Sequence, residues 1–182
     1  MIQSKKDLKE YIRLDNGLHW NKCKNRIMLF MTHDEFYYIN KYFRYLRKQE
    51  YYCNNIKRFK LYIIPYIFYT AKKNRIGDRA NLIIPENTLE KGVTIFHKNV
   101  LVHPKARIGE FSVLHGNNCI GNNGITDEAP YLSNNANIGY GACLIGKIYL
   151  AQGVYVGANA VVNKSFSEEG VTLIGVPAKH VK

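Results

Sequence analysis

Residues 132–162, LSNNANIGYGACLIGKIYLAQGVYVGANAVV, contain an apolar residue at every sixth position. These positions are Leu132, Ile138, Leu144, Leu150, Val156 and Val162. Four residues after each of the first five comes another compact apolar residue, namely Ala136, Ala142, Ile148, Val154 and Ala160. A period of six fits neither an α-helix, with a period of about 3.6, nor an ordinary strand, with a period of about 2. It is typical of a parallel β-helix in which each hexapeptide forms one side of a triangular coil.

The same repeat extends upstream and covers most of the second half of the chain. It continues at Val102, Ile108, Leu114 and Ile120. Residues 121–131, GNNGITDEAPY, interrupt the pattern without breaking its phase, because Ile120 and Leu132 are twelve residues apart. A further set repeats by six but one residue out of phase: Ile83, Leu89, Ile95 and Leu101. Since three hexapeptide sides make one turn, we expect a coil of roughly five turns over residues 76–174. A β-sandwich would instead need turn signals every 8–12 residues or so.

The first part of the chain has a helical period. Residues 32–35 fit a capping box, in which Thr32 caps a helix and Glu35 reaches back to it. An apolar stripe follows at helical spacing, namely Phe36, Ile39, Phe43 and Leu46. A second helical pattern runs from Tyr51 to Lys72, and Pro65 should kink or split it. A short helix is expected at residues 4–14.

Charge follows the same division of the chain. Residues 1–75 hold 17 Lys/Arg against 6 Asp/Glu, whereas residues 76–182 hold 9 against 8. We therefore predict a basic, aromatic-rich α-helical N-terminal domain at 1–75 and a β-helix domain with a C-terminal tail at 76–182. The basic half suits an anionic partner such as a membrane surface or a phosphorylated substrate, or it is a solvated face.

The sequence has no segment typical of a membrane span or a signal peptide, and this bears on its expected location and on the state of its cysteines. The longest apolar stretch, LYIIPYIFYTA at 61–71, is too short to span a bilayer, and the N-terminus has no signal-peptide core. We expect a cytoplasmic protein, with the inner face of the membrane as a further option. Free thiols are expected at Cys23, Cys53, Cys119 and Cys143, and surface or packing roles at His19 and His33.

The late repeats carry a family resemblance. IGYGACLIGKIYLAQGVYVGANAVVNKSF (138–166), followed by GVPAKHV (175–181), resembles the hexapeptide-repeat acyltransferases. Within them, residues 45–182 are most similar to the serine acetyltransferase-like group, which includes O-acetyltransferases of capsule and surface polysaccharides. The resemblance implies a left-handed β-helix, a homotrimer with active sites between subunits, and acetyl-CoA bound along the C-terminal coils without a metal.

The resemblance also implies a catalytic histidine. In the family it ends a segment of the form G-[LIV]-x-[LIV]-x-H, and here that segment runs from Gly92 to His97. A neutral imidazole can act as general base toward a hydroxyl. His115 follows His97 by one full turn of the expected coil, so it should stack on the same side and help hold the acceptor. His103 should lie on another side.

The expected acetyl-CoA contacts lie later in the coil. They are Tyr140, Ala142, Ala158, Lys164 and Lys179. Small residues leave room for the pantetheine arm, and the lysines can meet phosphates as point charges. Corner packing of the alanines and solvent exposure of the lysines are the alternatives.

Two departures from the family pattern bear on the acceptor. Leu82 stands where an aspartate usually orients the catalytic histidine, and Ala129 stands where a second histidine usually lies. We therefore expect an acetyl-CoA-dependent O-acetyltransferase that modifies a hydroxyl of a sugar or surface polysaccharide, with peripheral membrane contact through the basic half. The alternative is a serine O-acetyltransferase of cysteine biosynthesis. Three further functions were considered on the same coil. A zinc carbonic anhydrase would need three histidines that converge on one metal ion. A non-catalytic trimeric scaffold stays open as an alternative, and nucleic-acid binding is supported only by the net charge.

Overall fold

The structure is a computed structural model and describes residues 1–15 and 26–181. Its N-terminal part is helical. His19 and Cys23 lie outside the described residues, while Cys53, Cys119 and Cys143 are free thiols. The helices are α1 (Lys5–Leu14), α2 (Arg26–Met31), α3 (Glu35–Asn55), a 3₁₀ turn (Lys60–Tyr62) and α4 (Ile63–Ala80).

The helix ends follow local capping chemistry. Ser4 and Asp7 form a capping box at α1, with side chain to backbone bonds of 2.9 and 3.0 Å. The expected box at Thr32 is wrong. Its hydroxyl bonds back to the carbonyl of Met28, and Asp34 caps α3 by accepting a 2.8 Å bond from an amide. Glu35 is therefore the first residue of α3, and its side chain does not serve as a cap partner.

The helical pattern expected over residues 51–72 is split, but the break lies at residues 56–62 and not at Pro65. The chain leaves α3 after Asn55 and begins α4 at Ile63, so Pro65 lies in the first helical turn, where no backbone N–H is required. Helix α4 continues to Ala80, five residues beyond the boundary expected at residue 75. Helices α3 and α4 pack together through aromatic rings, including a stacked pair of Tyr52 and Tyr69 with centroids 5.6 Å apart.

From residue 82 onward the strands form the three faces of a parallel coil. Face A contains β1 (Leu82–Ile83), β3 (Val100–Val102), β6 (Asn118–Gly121), β9 (Cys143–Ile145) and β12 (Val161–Val162). Face B contains β4 (Arg107–Ile108), β7 (Tyr131–Leu132) and β10 (Tyr149–Leu150). Face C contains β2 (Thr94–Ile95), β5 (Val113–Leu114), β8 (Asn137–Ile138), β11 (Tyr155–Val156), β13 (Thr172–Ile174) and an antiparallel β14 (Lys179–Val181).

Most of the sequence repeat is confirmed as the inward-facing set. The six positions from Leu132 to Val162 are all 0–1% exposed, and neighbouring strands between residues 131 and 162 pair one full turn apart. Pairs across the 121–131 insertion, such as Ile120 with Leu144, are separated by one hexapeptide more than a full turn, and this holds on each face. The insertion therefore adds one repeat length and preserves the phase.

The first turn differs from the expected phase. Ile83 and Leu101 are 59% and 43% exposed, so their predicted inward orientation is wrong. The buried residues that take the repeat positions of this turn are Ile84, Leu89, Ile95 and Val102, at intervals of five, six and seven residues. The longest interval contains His97. Because of it, β2 pairs with β5 one residue beyond a regular turn, with Ile95 opposite Leu114.

A buried ion network attaches the helices to the first turn of the coil. The Arg47 guanidinium on α3 is fully buried, 2.6 Å from the carboxylate of Asp15 and 2.9 Å from that of Glu50. It also donates to the carbonyls of Leu89 and Glu90 at 2.8 and 2.9 Å. Desolvation alone would lower the pKa of Arg47, but the two carboxylates raise it, so the group remains charged.

Helices and coil share one hydrophobic core. A continuous cluster of buried residues begins with Tyr38, Ile39, Tyr42 and Phe43 on α3 and runs through the coil to Ala178. Tyr42 adds a polar link, since its hydroxyl bonds to the backbone N–H and C=O of Ile84 at 2.9 and 3.1 Å. Among the described helices, none has the length and apolar content needed to cross a bilayer.

Substitution Arg47→Ala should strongly destabilise the protein, because it leaves Asp15 and Glu50 buried without a counter-charge. We expect a loss of about 3–5 kcal/mol in the free energy of unfolding, measured by denaturant titration. Arg44→Ala, at an exposed position of the same helix, is the control and should cost below about 1 kcal/mol. Equal losses in both variants would contradict the importance of the network.

Candidate active site

A column of residues at one corner of the coil defines the candidate site. Each lies two positions after an inward residue of face C, and strand pairing stacks those inward residues in the order Ile95, Leu114, Ile138, Val156. The column therefore reads His97, Gly116, Tyr140 and Ala158. Parallel strands about 4.8 Å apart place such residues one above another.

Gly116 provides the space that His97 occupies. A Cβ atom built on Gly116 would lie 2.6 Å from the Cβ of His97, and the backbone φ of +106° is one that L side chains rarely adopt. With no side chain at this level, the rings of His97 and Tyr140 meet edge to face, with centroids 6.3 Å apart and planes at 75°. Because Gly116 has no side chain, the rings of His97 and Tyr140 can make contact although they lie two coil levels apart.

Helix α3 contributes a carboxylate to this corner. Oε1 of Glu35 lies 2.8 Å from Nδ1 of His97, although the two residues are 62 positions apart. A carboxylate only accepts, so Nδ1 of His97 carries the hydrogen and donates it. Nε2 is then the nitrogen of a neutral ring that can take up a proton. The His97 side chain is 53% exposed, which leaves this nitrogen within reach of a ligand.

His115 lies beside this column rather than in it. Because β2 and β5 pair one residue beyond a regular turn, His115 stacks on Phe96, with ring centroids 5.0 Å apart, and the expected stacking of His115 directly on His97 is wrong. Its Nε2 lies 3.0 Å from Oδ1 of Asn137, an oxygen that can only accept. Nε2 of His115 therefore donates, and Nδ1 is its basic nitrogen.

These residues surround one cavity of about 530 Å³. Its lining consists of Glu35, His97, Lys98, Asn99, His115 and Tyr140. The volume falls within the range of small-molecule sites, and the lining combines two imidazoles with one carboxylate and one ammonium group. Such a site can bind a polar ligand and exchange a proton with it.

The remaining predicted contacts do not line the cavity. Ala142 is 0% exposed within the coil core, so its expected contact with a cosubstrate is wrong, because its methyl group faces the interior. Ala158 is exposed at the far end of the column that contains His97, and Lys164 and Lys179 are exposed elsewhere on the coil. His103 lies outside this lining, with Nε2 3.6 Å from a carboxylate oxygen of Asp127, so His97, His103 and His115 do not converge on one point.

Sequence analysis places Glu35 in a capping box and therefore does not predict its contact with His97. The only local signal was its position at the start of a helix, next to Asp34, which is itself a sufficient cap. No spacing rule connects the start of that helix with a corner of the coil. Asn137 and Gly116 were also missed. The slip of phase in the first turn is the signal that would have placed Gly116 beside His97.

The known proteins that this chain resembles in sequence and in structure are serine acetyltransferases. The chain is 32% identical over 136 residues to a serine acetyltransferase of Buchnera aphidicola subsp. Schizaphis graminum, which covers 72% of this chain and 49% of that protein. The chain thus spans about half the length of this curated relative. No family model matches.

Solved structures agree on the architecture. Serine acetyltransferase from Brucella abortus strain S19 superposes with a TM-score of 0.72 at 21% identity, covering 97% of this chain and 70% of that one. The soybean serine acetyltransferase apoenzyme gives 0.73 at 19% identity, with coverage of 97% and 70%. The predicted fold, a left-handed parallel β-helix after a helical segment, is confirmed, as is the resemblance to the serine acetyltransferase-like group.

Substitution Gly116→Ala should displace His97, because the new methyl group would overlap its Cβ. We expect a loss of about 1–3 kcal/mol in unfolding free energy and a shift of the His97 ring signals in NMR spectra. Gly121→Ala is the matched control, since its Cβ would meet only Sγ of Cys119, at 3.7 Å. Unchanged His97 signals in Gly116→Ala would show that the glycine does not set the ring position.

Proposed function

We propose that this chain, which shares its fold with the serine acetyltransferases, is an acetyl-CoA-dependent O-acetyltransferase with His97 as the general base. The observation that carries the proposal is the pairing of Glu35 with Nδ1 of His97 at the edge of a polar cavity. This pairing leaves Nε2 as a proton acceptor facing any hydroxyl bound there. Similarity to a curated serine acetyltransferase supports the same reaction class.

The residues suit proton transfer without a covalent enzyme intermediate. Nε2 of His97 removes the hydroxyl proton as the oxygen attacks the acetyl carbonyl carbon. The carbon–sulfur bond breaks, and the imidazolium returns the proton to the sulfur, which yields an ester and the CoA thiol. Burial raises the pKa of Cys119, and that of Cys53 is raised by burial and nearby carboxylates, so neither is an activated nucleophile.

The acetyl donor is proposed to lie along the later turns of the coil. Ala158 follows Tyr140 in the same column, and its small, exposed side chain leaves a path toward His97. Lys164 and Lys179 are exposed and can meet phosphates as point charges. A solved serine acetyltransferase in complex with CoA is among the similar structures, with a TM-score of 0.62. We also propose a homotrimer, which would bring a second subunit against the corner that carries His97.

L-serine is the acceptor that the comparisons favour. The curated relative is a serine acetyltransferase, and a soybean serine acetyltransferase complexed with serine is among the similar structures. Within the cavity, Lys98 offers a cation that can pair with the carboxylate of an amino acid. His115 and Asn99 can bind further polar groups of such an acceptor.

A sugar hydroxyl is the second candidate, and one surface feature favours it. Around the start of α4 a row of large apolar side chains faces outward, namely Leu61, Ile64, Ile67 and Phe68, which are 51–78% exposed. Lys57, Arg58, Lys60 and Lys72 flank this row in the sequence. Apolar side chains bordered by cations suit contact with an anionic membrane surface, where lipid-linked glycans are assembled.

Substitution His97→Ala should reduce acetyl transfer by about 10²–10⁴-fold, because the hydroxyl loses its proton acceptor. The measurement is CoA thiol release from acetyl-CoA with a saturating acceptor. His103→Ala, at a histidine outside the cavity, is the control and should retain activity. Full activity of His97→Ala would contradict the proposed base.

The two acceptors can be separated with the unmodified protein. CoA release that saturates with L-serine alone would establish serine, which we expect from the comparisons. Release only with sugars or lipid-linked glycans, tested with and without anionic phospholipid vesicles, would favour the second candidate. No CoA release above hydrolysis with any acceptor would contradict the proposed reaction.

A further inference from the structure

We infer that Glu35, a residue of the helical part, is the positioning residue for His97 of the coil. The inference rests on the proposed function, since it concerns the proton-accepting state of the same ring. Its basis is the 2.8 Å bond between Oε1 of Glu35 and Nδ1 of His97. This bond joins two parts of the chain that differ in fold.

The coil supplies no carboxylate of its own at this position. Of the six described residues that line the cavity, Glu35 is the acidic one. Leu82 stands where the family resemblance leads one to expect an aspartate, but it is 3% exposed and pairs with Val100 on face A. The carboxylate that meets His97 comes from the first residue of α3.

Three features fix the Glu35 backbone relative to the coil. Asp34 caps α3 immediately before it. Tyr42, seven residues further on, bonds to the backbone of Ile84, and Arg47 bonds to the carbonyls of Leu89 and Glu90. A negative side chain is also favoured at a helix N-terminus. Glu35 therefore presents its carboxylate from a rigid support.

The bond does more than an exposed ion pair normally would. An isolated surface pair contributes little, because both side chains remain mobile. Here the edge-to-face contact with Tyr140 limits the other side of the His97 ring, and Gly116 lies directly above it. Acceptance of the Nδ1 hydrogen by Glu35 selects the tautomer with a basic Nε2. The carboxylate also stabilises the imidazolium that forms during transfer.

The test compares Glu35→Gln, Glu35→Asp and the unmodified chain. Glutamine has nearly the same shape but can donate as well as accept, so it no longer selects one tautomer. We expect kcat to fall about 10²-fold in Glu35→Gln with KM changed less than about threefold. Glu35→Asp should recover part of the loss, because it restores a carboxylate at a shorter reach.

The control is Glu10→Gln. Glu10 lies on α1 and bonds Nζ of Lys91 at 2.8 Å, so the variant removes a carboxylate–cation pair of the same length outside the cavity. Its kcat and KM should be unchanged. The second readout is the tautomer of His97, taken from long-range ¹H–¹⁵N spectra, with His97→Ala used to assign the signals. The Nδ1–H form should dominate in the unmodified chain and in Glu10→Gln, and a mixture should appear in Glu35→Gln.

The outcomes separate the inference from the proposed function. If the unmodified chain transfers no acetyl group, the function fails, while the tautomer spectra still support or overturn the pairing. If it is active and Glu35→Gln keeps its kcat and the Nδ1–H tautomer, the positioning role is overturned. A rise in KM with an unchanged tautomer overturns it as well, because Glu35 would then bind the acceptor.

Discussion

The Arg47 guanidinium holds the helical part against the coil, and the geometry of the cavity depends on that attachment. Its two carboxylate partners, Asp15 and Glu50, come from the end of α1 and from α3 itself, and each also accepts an amide hydrogen from the first turn, at Gly92 and Asn87. Burying three charges is costly unless every one is paired, so the network tolerates little displacement of α3. Because Glu35 lies on the same helix, its backbone is also held in place relative to the coil.

The coil contributes an irregularity to the site as well as a scaffold. The turns over residues 131–162 keep the regular repeat of three hexapeptides, but the first turn has unequal sides, and the longest side contains His97. The resulting offset aligns His97 with Gly116 and leaves His115 over Phe96. Had the first turn been regular, His97 would lie directly under the imidazole of His115. The irregular turn instead opens the space in which the His97 ring meets Tyr140.

The site combines a histidine of the coil with a carboxylate of the helical part, and this accounts both for the similarity to serine acetyltransferases and for the departures from their pattern. The fold is shared, and the resemblance places the histidine at His97, whereas Leu82 stands where the coil is expected to supply a carboxylate and Glu35 supplies one from α3. A catalytic arrangement is defined by geometry and role rather than by position in the sequence. The helical part is therefore a contributor to the site in addition to any role it has in assembly or surface contact.

Sequence alone was enough to predict the coil, its inward residues from Val102 onward and the phase-preserving insertion, because a side chain's orientation in a repeat follows from its residue number; it also singled out His97 as the candidate base. It also indicated the helices, since their capping and periodicity are local. Tertiary structure was needed to set the register of the first turn, to choose core packing over cosubstrate contact for Ala142, and to bring Glu35 to His97. The meeting of Glu35 with His97 depends on how α3 docks through Arg47 and Tyr42 on distant backbone carbonyls, and no pattern within either segment encodes that distance.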